Sequence, residues 1–187
     1  MKFKVNTIDI ERVAGPKATI REASFEDLLA IRKMHAKSWL AVYPNDEAGV
    51  SEEWVRGRVS NWITPEGIEK SKEHFKGIFG NPNHFYRIAT VDNAVVGLVH
   101  VSRDDAKQHL DALYIDESEY GSGLAQELMG MADDWLDTSL PTDLEVASYN
   151  KRAIRFYEKC GFTIVPNSEH LFADTMPVVD MIRKADS

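Results

Sequence analysis

Three successive runs of β-branched and aromatic residues lead into a glycine-spaced turn and an amphipathic helix, and few folds accommodate that order. The first two runs lie in "HFYRIATVDNAVVGLVHVSRDD" (84–105) and flank Asp92-Asn93, a pair that favours a two-residue hairpin turn. The third, "HLDALYID" (109–116), precedes Gly121-Ser122-Gly123. A helix is predicted over 122–136, with Leu124, Leu128, Met131 and Trp135 on one apolar stripe. No acidic residue lies between Tyr120 and Gln126, although helix N-termini ordinarily favour Asp or Glu. Glycines there remove Cβ atoms where oxygens must approach, and free backbone N–H groups add to the helix dipole. The expected occupant is a phosphate. A dinucleotide fingerprint would need a third glycine three residues after Gly123, and neither Glu127 nor its neighbours supply it. No G-x-x-x-x-G-K-[ST] run is present either.

The flanking sequence reads as helices and strands of the same domain. "KATIREA" (17–23) is a first strand, and Ser24 caps a helix from about Phe25 to Leu40 with Leu28, Ile31, Met34 and Trp39 at helical spacing. Residues 41–83 hold two or three short helices, with start signals at Ser51 and Thr64-Pro65. "DLEVAS" (143–148) is a strand, "NKRAIRFYEKC" (150–160) a helix stopped by Gly161, and "FTIV" and "PVVDMIRK" are closing strands. The chain reads as one mixed α/β domain over 1–187.

Composition narrows the classes further. One cysteine, Cys160, excludes a disulfide framework and a thiolate metal cluster, and no His or Cys spacing suggests a metal. A net charge of −8 disfavours nucleic acid as a partner and favours a cationic one. The N-terminal "MKFKVNTIDIERVAG" lacks an apolar leader and no stretch reaches transmembrane length, so the expectation is a cytoplasmic protein with no membrane partner. A homodimer is a candidate assembly.

In "LEVASYNKRAIRFYEKCGF", Asn150, Ala153 and Tyr157 are three and four residues apart and share one helix face. With the glycine loop, this segment resembles the GCN5-related N-acetyltransferase (GNAT) superfamily. "LDALYIDESEYGSGLAQELMGMADDWL" resembles its motif A, a strand followed by [QR]-x-x-G-x-[GA], with Gly123 and Ala125 in the last two positions. "NKRAIRFYEKCGF" resembles its motif B at Asn150, Ala153, Phe156, Tyr157, Gly161 and Phe162, and the likeness covers about 18–165. One position departs: Tyr120 stands where the family usually has Gln or Arg. Its role there is through its backbone amide, through phosphate contact, or through stacking on an adenine.

The resemblance implies a mixed, mostly antiparallel sheet of about six to seven strands, helices on both faces, splayed at the acetyl-CoA site. It implies acetyl transfer from acetyl-CoA to a primary amine by direct attack. Cofactor contacts are expected from Leu113, Tyr114 and Ile115, whose backbone N–H groups would meet the oxyanion. Others are expected from Tyr120, Gly121, Ser122, Gly123, Leu124, Ala125 and Gln126 around the diphosphate, and from Asn150 and Tyr157. Tyr157 stands at the position of the acid that protonates the leaving thiolate. His109 or Asp111 is the candidate base, Asp111 alternatively a contact for the substrate cation. Strand alternation would put His109, Asp111 and Leu113 on one side and Leu110, Ala112 and Tyr114 on the other. Cys160 reads as a small buried hydrophobe rather than a nucleophile.

The acceptor site is expected between the variable N-terminal helices and the late strands. Trp39 and Tyr43 are four apart and candidate walls, Trp54 a weaker one, with Asp46, Glu47, Glu52 and Glu53 as attractors for a cation. A small amine is the first expectation, because the 41–83 segment would cover the acceptor cleft. A protein N-terminus or lysine is the alternative, and a non-catalytic acyl-CoA-binding module is a second one.

Overall fold

The computed structural model describes residues 17–185, so the N-terminal stretch read as leaderless lies outside the described residues. Thr19–Glu22 forms β1. The Asp27 carboxylate accepts from the Ser24 N–H at 2.9 Å, opening a 3-10 turn that continues into α1, Leu28–Val42. The 41–83 segment holds α2, Glu52–Val59, and α3, Pro65–Lys76. Ser51 caps the first and Thr64 the second, each accepting a backbone N–H in the first turn. Strands β2, His84–Val91, and β3, Ala94–Arg103, meet at a turn in which Asp92 and Asn93 take φ of 49° and 65°. Then follow β4, Gln108–Ile115; α4, Leu124–Trp135; β5, Thr142–Ala147; α5, Lys151–Lys159; β6, Thr163–Ile164; β7, His170–Phe172; and β8, Met176–Arg183.

The strands form one sheet of eight in the order β1-β2-β3-β4-β5-β8-β6, with β7 also pairing β8. Every pairing is antiparallel except β4 with β5. The mixed, mostly antiparallel sheet is as expected, with one strand more. The addition, β7, has three residues, too few for alternation to register. No helix among the described residues is long and apolar enough to cross a membrane.

Helices cover both faces. On one, Leu124, Leu128, Met129 and Ala132 of α4 and Ile154 of α5 pack with Val99, Leu144, Val146 and Met181 of the sheet. A Cβ on Gly97 would lie 3.1–3.3 Å from Ile115, Leu128 and Leu124, so its absence lets α4 sit close on β3. On the other face, Leu28, Ile31 and Met34 of α1 and Phe75 of α3 cover Ile88 and Leu98. Trp39, Val50, Val55 and Val59 continue that layer over Ala147 and Val178.

Two features of β4 create the site. It pairs with β5 only at Gln108↔Thr142 and His109↔Asp143, while β5 stays paired with β8 as far as Ala147↔Val178. Beyond His109 the sheet is therefore split. The second feature is a bulge: Val101 pairs Leu110 and His100 pairs Ala112, leaving Asp111 unopposed. This corrects the simple alternation expected for β4. Leu110, Leu113 and Ile115 all pack on the α4 side, whereas Ala112 and Tyr114 pack on the α1 side. The extra residue shifts the pleat by one position, so Asp111 and Leu113 do not share a face in the expected way.

Candidate active site

The split between β4 and β5 opens into two cavities that meet. A groove of about 370 Å³ is walled by Leu110–Ile115, by Tyr120 and Ala125, and by Asn150, Ala153 and Tyr157 of α5. A second cavity of about 530 Å³ lies between α1 and the sheet, against Trp39, His109, Asp143, Asp180 and Phe172. Tyr43, Leu110, Asp111, Tyr114 and Glu145 line both. These residues form the junction of the two cavities.

The groove ends at the N-terminus of α4. Gly121 and Gly123 take φ of 79° and 93°, a left-handed conformation that costs a side chain about 1–2 kcal/mol. Among the described residues, the N–H groups of Gly121, Gly123, Ala125 and Gln126 find no acceptor within the protein, while Leu124 N–H reaches Ser122 Oγ at 3.2 Å. Such unmatched donors at a dipole's positive end suit an anion. The Leu124 side chain is buried in the core and turned away from the groove. Across the groove, Asn150 caps α5 by accepting the Ala153 N–H at 3.1 Å. The Tyr120 ring is stacked beneath the Arg152 guanidinium, whose carbon lies 3.5 Å from the ring centroid.

Tyr157 faces the groove from α5, and its hydroxyl has no hydrogen-bond partner among the described residues. Burial, reinforced by neighbouring Tyr114, holds its phenol well above the ordinary tyrosine range. The Tyr43 and Tyr114 hydroxyls lie 2.8 Å apart, and Trp39 Nε1 donates to Tyr114 at 3.2 Å. Burial also raises both of those phenols. All three are neutral over any working pH.

The two candidate bases sit differently. His109 precedes the split, its Nδ1 bonded to the Asp143 carboxylate, and lines only the larger cavity. Burial would raise Asp143, yet hydrogen bonds from His109 and Lys107 bring it below the usual carboxylate range. Asp111, on the bulge, lines both cavities. Behind it runs a histidine chain: His100 Nδ1 lies 3.6 Å from Asp111, and His100 Nε2 lies 3.0 Å from Nδ1 of half-buried His84. Burial pushes His100 down to about 4, against the opposing pull of Asp111, so its imidazole is neutral near pH 7.

The larger cavity carries four carboxylates, Asp111, Asp143, Glu145 and Asp180, against Lys107 as its one fixed cation. Glu145 and Asp180 are direct cross-strand partners, an unfavourable placement for like charges. His170 partners one of them, its Nε2 2.8 Å from Glu145 and its Nδ1 donating to the Ser168 carbonyl at 2.9 Å. Those hydrogen bonds raise His170 above its ordinary value.

Trp39 and Tyr43 do wall this cavity, and Trp39 is at the same time 92% buried core, being only 8% exposed. Trp54 packs at the edge of the α2 layer, outside both cavities. Asp46, Glu47, Glu52 and Glu53 likewise line neither. Cys160 ends α5 away from both, its thiol raised by burial and then by Asp133. Sequence reasoning missed Glu145, Asp180, His100 and Arg152. A signal existed for Glu145, since Asp143 and Glu145 alternate with Leu144 and Val146 in "DLEVAS". Nothing local pointed to the others.

A family model described as acetyltransferase (GNAT) family matches residues 31–162. No curated protein sequence matches the chain. Among solved structures, an acetyltransferase of the GNAT family from Streptococcus pneumoniae superposes with a TM-score of 0.65 at 19% identity, covering 91% of this chain and 100% of that one. The PaiA N-acetyltransferase of Thermoplasma acidophilum, solved with coenzyme A, gives 0.62 at 19% identity, with coverages of 90% and 99%. The ribosomal-protein-S18-alanine N-acetyltransferase of Escherichia coli gives 0.59 at 18% identity, with coverages of 91% and 95%.

Proposed function

The chain belongs to the acetyltransferase (GNAT) family, and from that premise we propose that it acetylates a small cationic primary amine with acetyl-CoA. The observation that carries this reading is the acid-lined cavity of about 530 Å³ opening onto the groove at Asp111 and Glu145. Four carboxylates in a confined space attract an ammonium, and α2 packs through Val55 and Val59 on the same layer as Trp39, Ala147 and Val178, which line the cavity. A polypeptide acceptor would need an open channel instead.

Acetyl-CoA takes the groove, its diphosphate against the open N–H groups of Gly121, Gly123, Ala125 and Gln126 and its thioester at the split. The acceptor enters from the other cavity. An alkylammonium of pKa about 10 has no lone pair, so a proton must leave before or during attack. Asp111 accepts it, on the exposed bulge of β4 with the buried His100 imidazole 3.6 Å behind it. The nitrogen bonds to the acetyl carbon, and the oxyanion meets N–H groups of Leu113–Ile115 where β4 has lost β5. The C–S bond then breaks with the Tyr157 hydroxyl donating to sulfur. With Cys160 remote and its thiol raised, transfer is direct.

A panel of amines assayed for free CoA tests this: 1,4-diaminobutane, 1-aminobutane, glucosamine, an amino acid and a peptide with a free N-terminus. Turnover is expected with the small amines and not the peptide. Turnover of the peptide alone would establish a protein acceptor, and CoA release with none of them a binding module.

The loop's part has its own expected result. A carboxylate at Gly123, in Gly123→Asp, should weaken acetyl-CoA roughly tenfold relative to Gly123→Ala, the repulsion being moderated by salt at this exposed position. Alanine shares the backbone strain and meets no atom within 4 Å, so the pair isolates charge. Calorimetry reads it, and equal affinities would remove the loop from the site.

A further inference from the structure

The anion-binding loop of this chain has no cation of its own. From Asp116 to Glu127 there is no Lys, Arg or His, and Tyr120 fills the position where the family usually offers Gln or Arg. The missing charge stands on the opposite wall. Arg152, in the first turn of α5, lies flat on the Tyr120 ring with 3.5 Å from guanidinium carbon to ring centroid, and both residues line the groove. That stack joins two elements 32 residues apart in sequence, the loop before α4 and the helix after β5.

Three further features say that Arg152 is placed for an anion. Among the described residues it makes no ion pair and donates no hydrogen bond, so all five of its donors remain free. It is exposed, on a chain of net charge −8 in which Arg21, Arg56, Arg87 and Arg183 are each paired with a carboxylate. It also sits beside Lys151 at a helix N-terminus, where the dipole disfavours positive charge. Lys151 turns its ammonium back to the Ser148 carbonyl at 2.7 Å, leaving Arg152 as the cation toward the groove.

Resting on the reading of the groove as the acetyl-CoA site, we infer that Arg152, held flat by Tyr120, recognises a phosphate group of the cofactor in place of the family's loop residue. A ring beneath the guanidinium plane restrains it without consuming its N–H edges, which stay free to fork onto phosphate oxygens. Tyr120 is thus a positioning residue. The loop amides supply directional donors to one phosphate group, and Arg152 supplies full charge from across the groove.

Calorimetric titration of the full chain with acetyl-CoA and with its 3′-dephospho form tests the assignment. Arg152→Gln should weaken acetyl-CoA binding about tenfold or more, the usual size of a lost charge-assisted hydrogen bond. A loss confined to the form bearing the 3′-phosphate assigns Arg152 to that group, and an equal loss with both forms assigns it to the diphosphate. Tyr120→Leu should lose part of the affinity and add nothing on top of Arg152→Gln, because the two act as one unit. Wild-type affinity in Arg152→Gln for both ligands would overturn the proposal, as would a full additional loss from Tyr120→Leu. Failure of the wild-type chain to bind acetyl-CoA would instead remove the cofactor reading beneath it.

Discussion

Asp111→Asn should lower kcat by about 10²–10⁴-fold with the best amine of the panel, the ordinary range for loss of a positioned base. Asparagine keeps the shape of the side chain at the bulge and removes its basicity. Acetyl-CoA affinity should not change, since the proposed function assigns the nucleotide to the loop and α5 rather than to Asp111. His109→Gln should cost less than about tenfold, for His109 lines only the outer cavity and lies before the split. The division between kcat and KM separates the roles of Asp111. A base acts on kcat, whereas a group that only binds the substrate cation acts on KM. A large kcat loss in His109→Gln with Asp111→Asn near wild type would move the base to the His109–Asp143 pair. A KM effect alone in Asp111→Asn would leave it as a substrate contact.

The sequence made the fold legible because its elements are periodic or punctuated. Alternating runs around Asp92-Asn93 marked β2 and β3, and Asn150, Ala153 and Tyr157 at helical spacing marked the face of α5 that lines the groove. The bulge was not legible. One unopposed residue at Asp111 reverses the faces of the residues beyond it, and its cause lies in the pairing with β3 rather than in "HLDALYID". β7 was hidden by its length, since three residues carry no period. Long-range pairs were hidden for a different reason. His100 reads as one polar residue in an apolar strand, and its chain from His84 to Asp111 exists only when β2, β3 and β4 are registered. The acid-lined cavity needs β5 and β8 side by side, because Asp180 faces Glu145 only through their antiparallel register.

Tyr157→Phe should slow turnover by about 10²-fold while leaving the fold and acetyl-CoA affinity nearly unchanged. The phenylalanine ring keeps the packing of Tyr157 against Phe156 and Phe162. The lost hydroxyl has no partner among the described residues, so its removal strands no buried donor or acceptor. The expected size comes from comparing acids. A thiol of pKa about 8.5 is a moderate leaving group unaided, so the reaction should survive without the phenol. Burial and Tyr114 hold the Tyr157 phenol above its ordinary value of 10.0, making it a weaker acid than the thiol it serves. Complete proton transfer to sulfur is then uphill. In the proposed mechanism the phenol therefore acts chiefly by donating a hydrogen bond as charge develops, which places its expected effect at the lower end of the range for general acids. The same elevation keeps it protonated from acid to well above neutral pH, so Tyr157 should add no limb to the pH–rate profile below about pH 10. Single-turnover measurement of CoA release with the preferred amine reads both effects. A phenylalanine variant that releases CoA at the wild-type rate, with bond breaking limiting, would reduce Tyr157 to a wall of the groove.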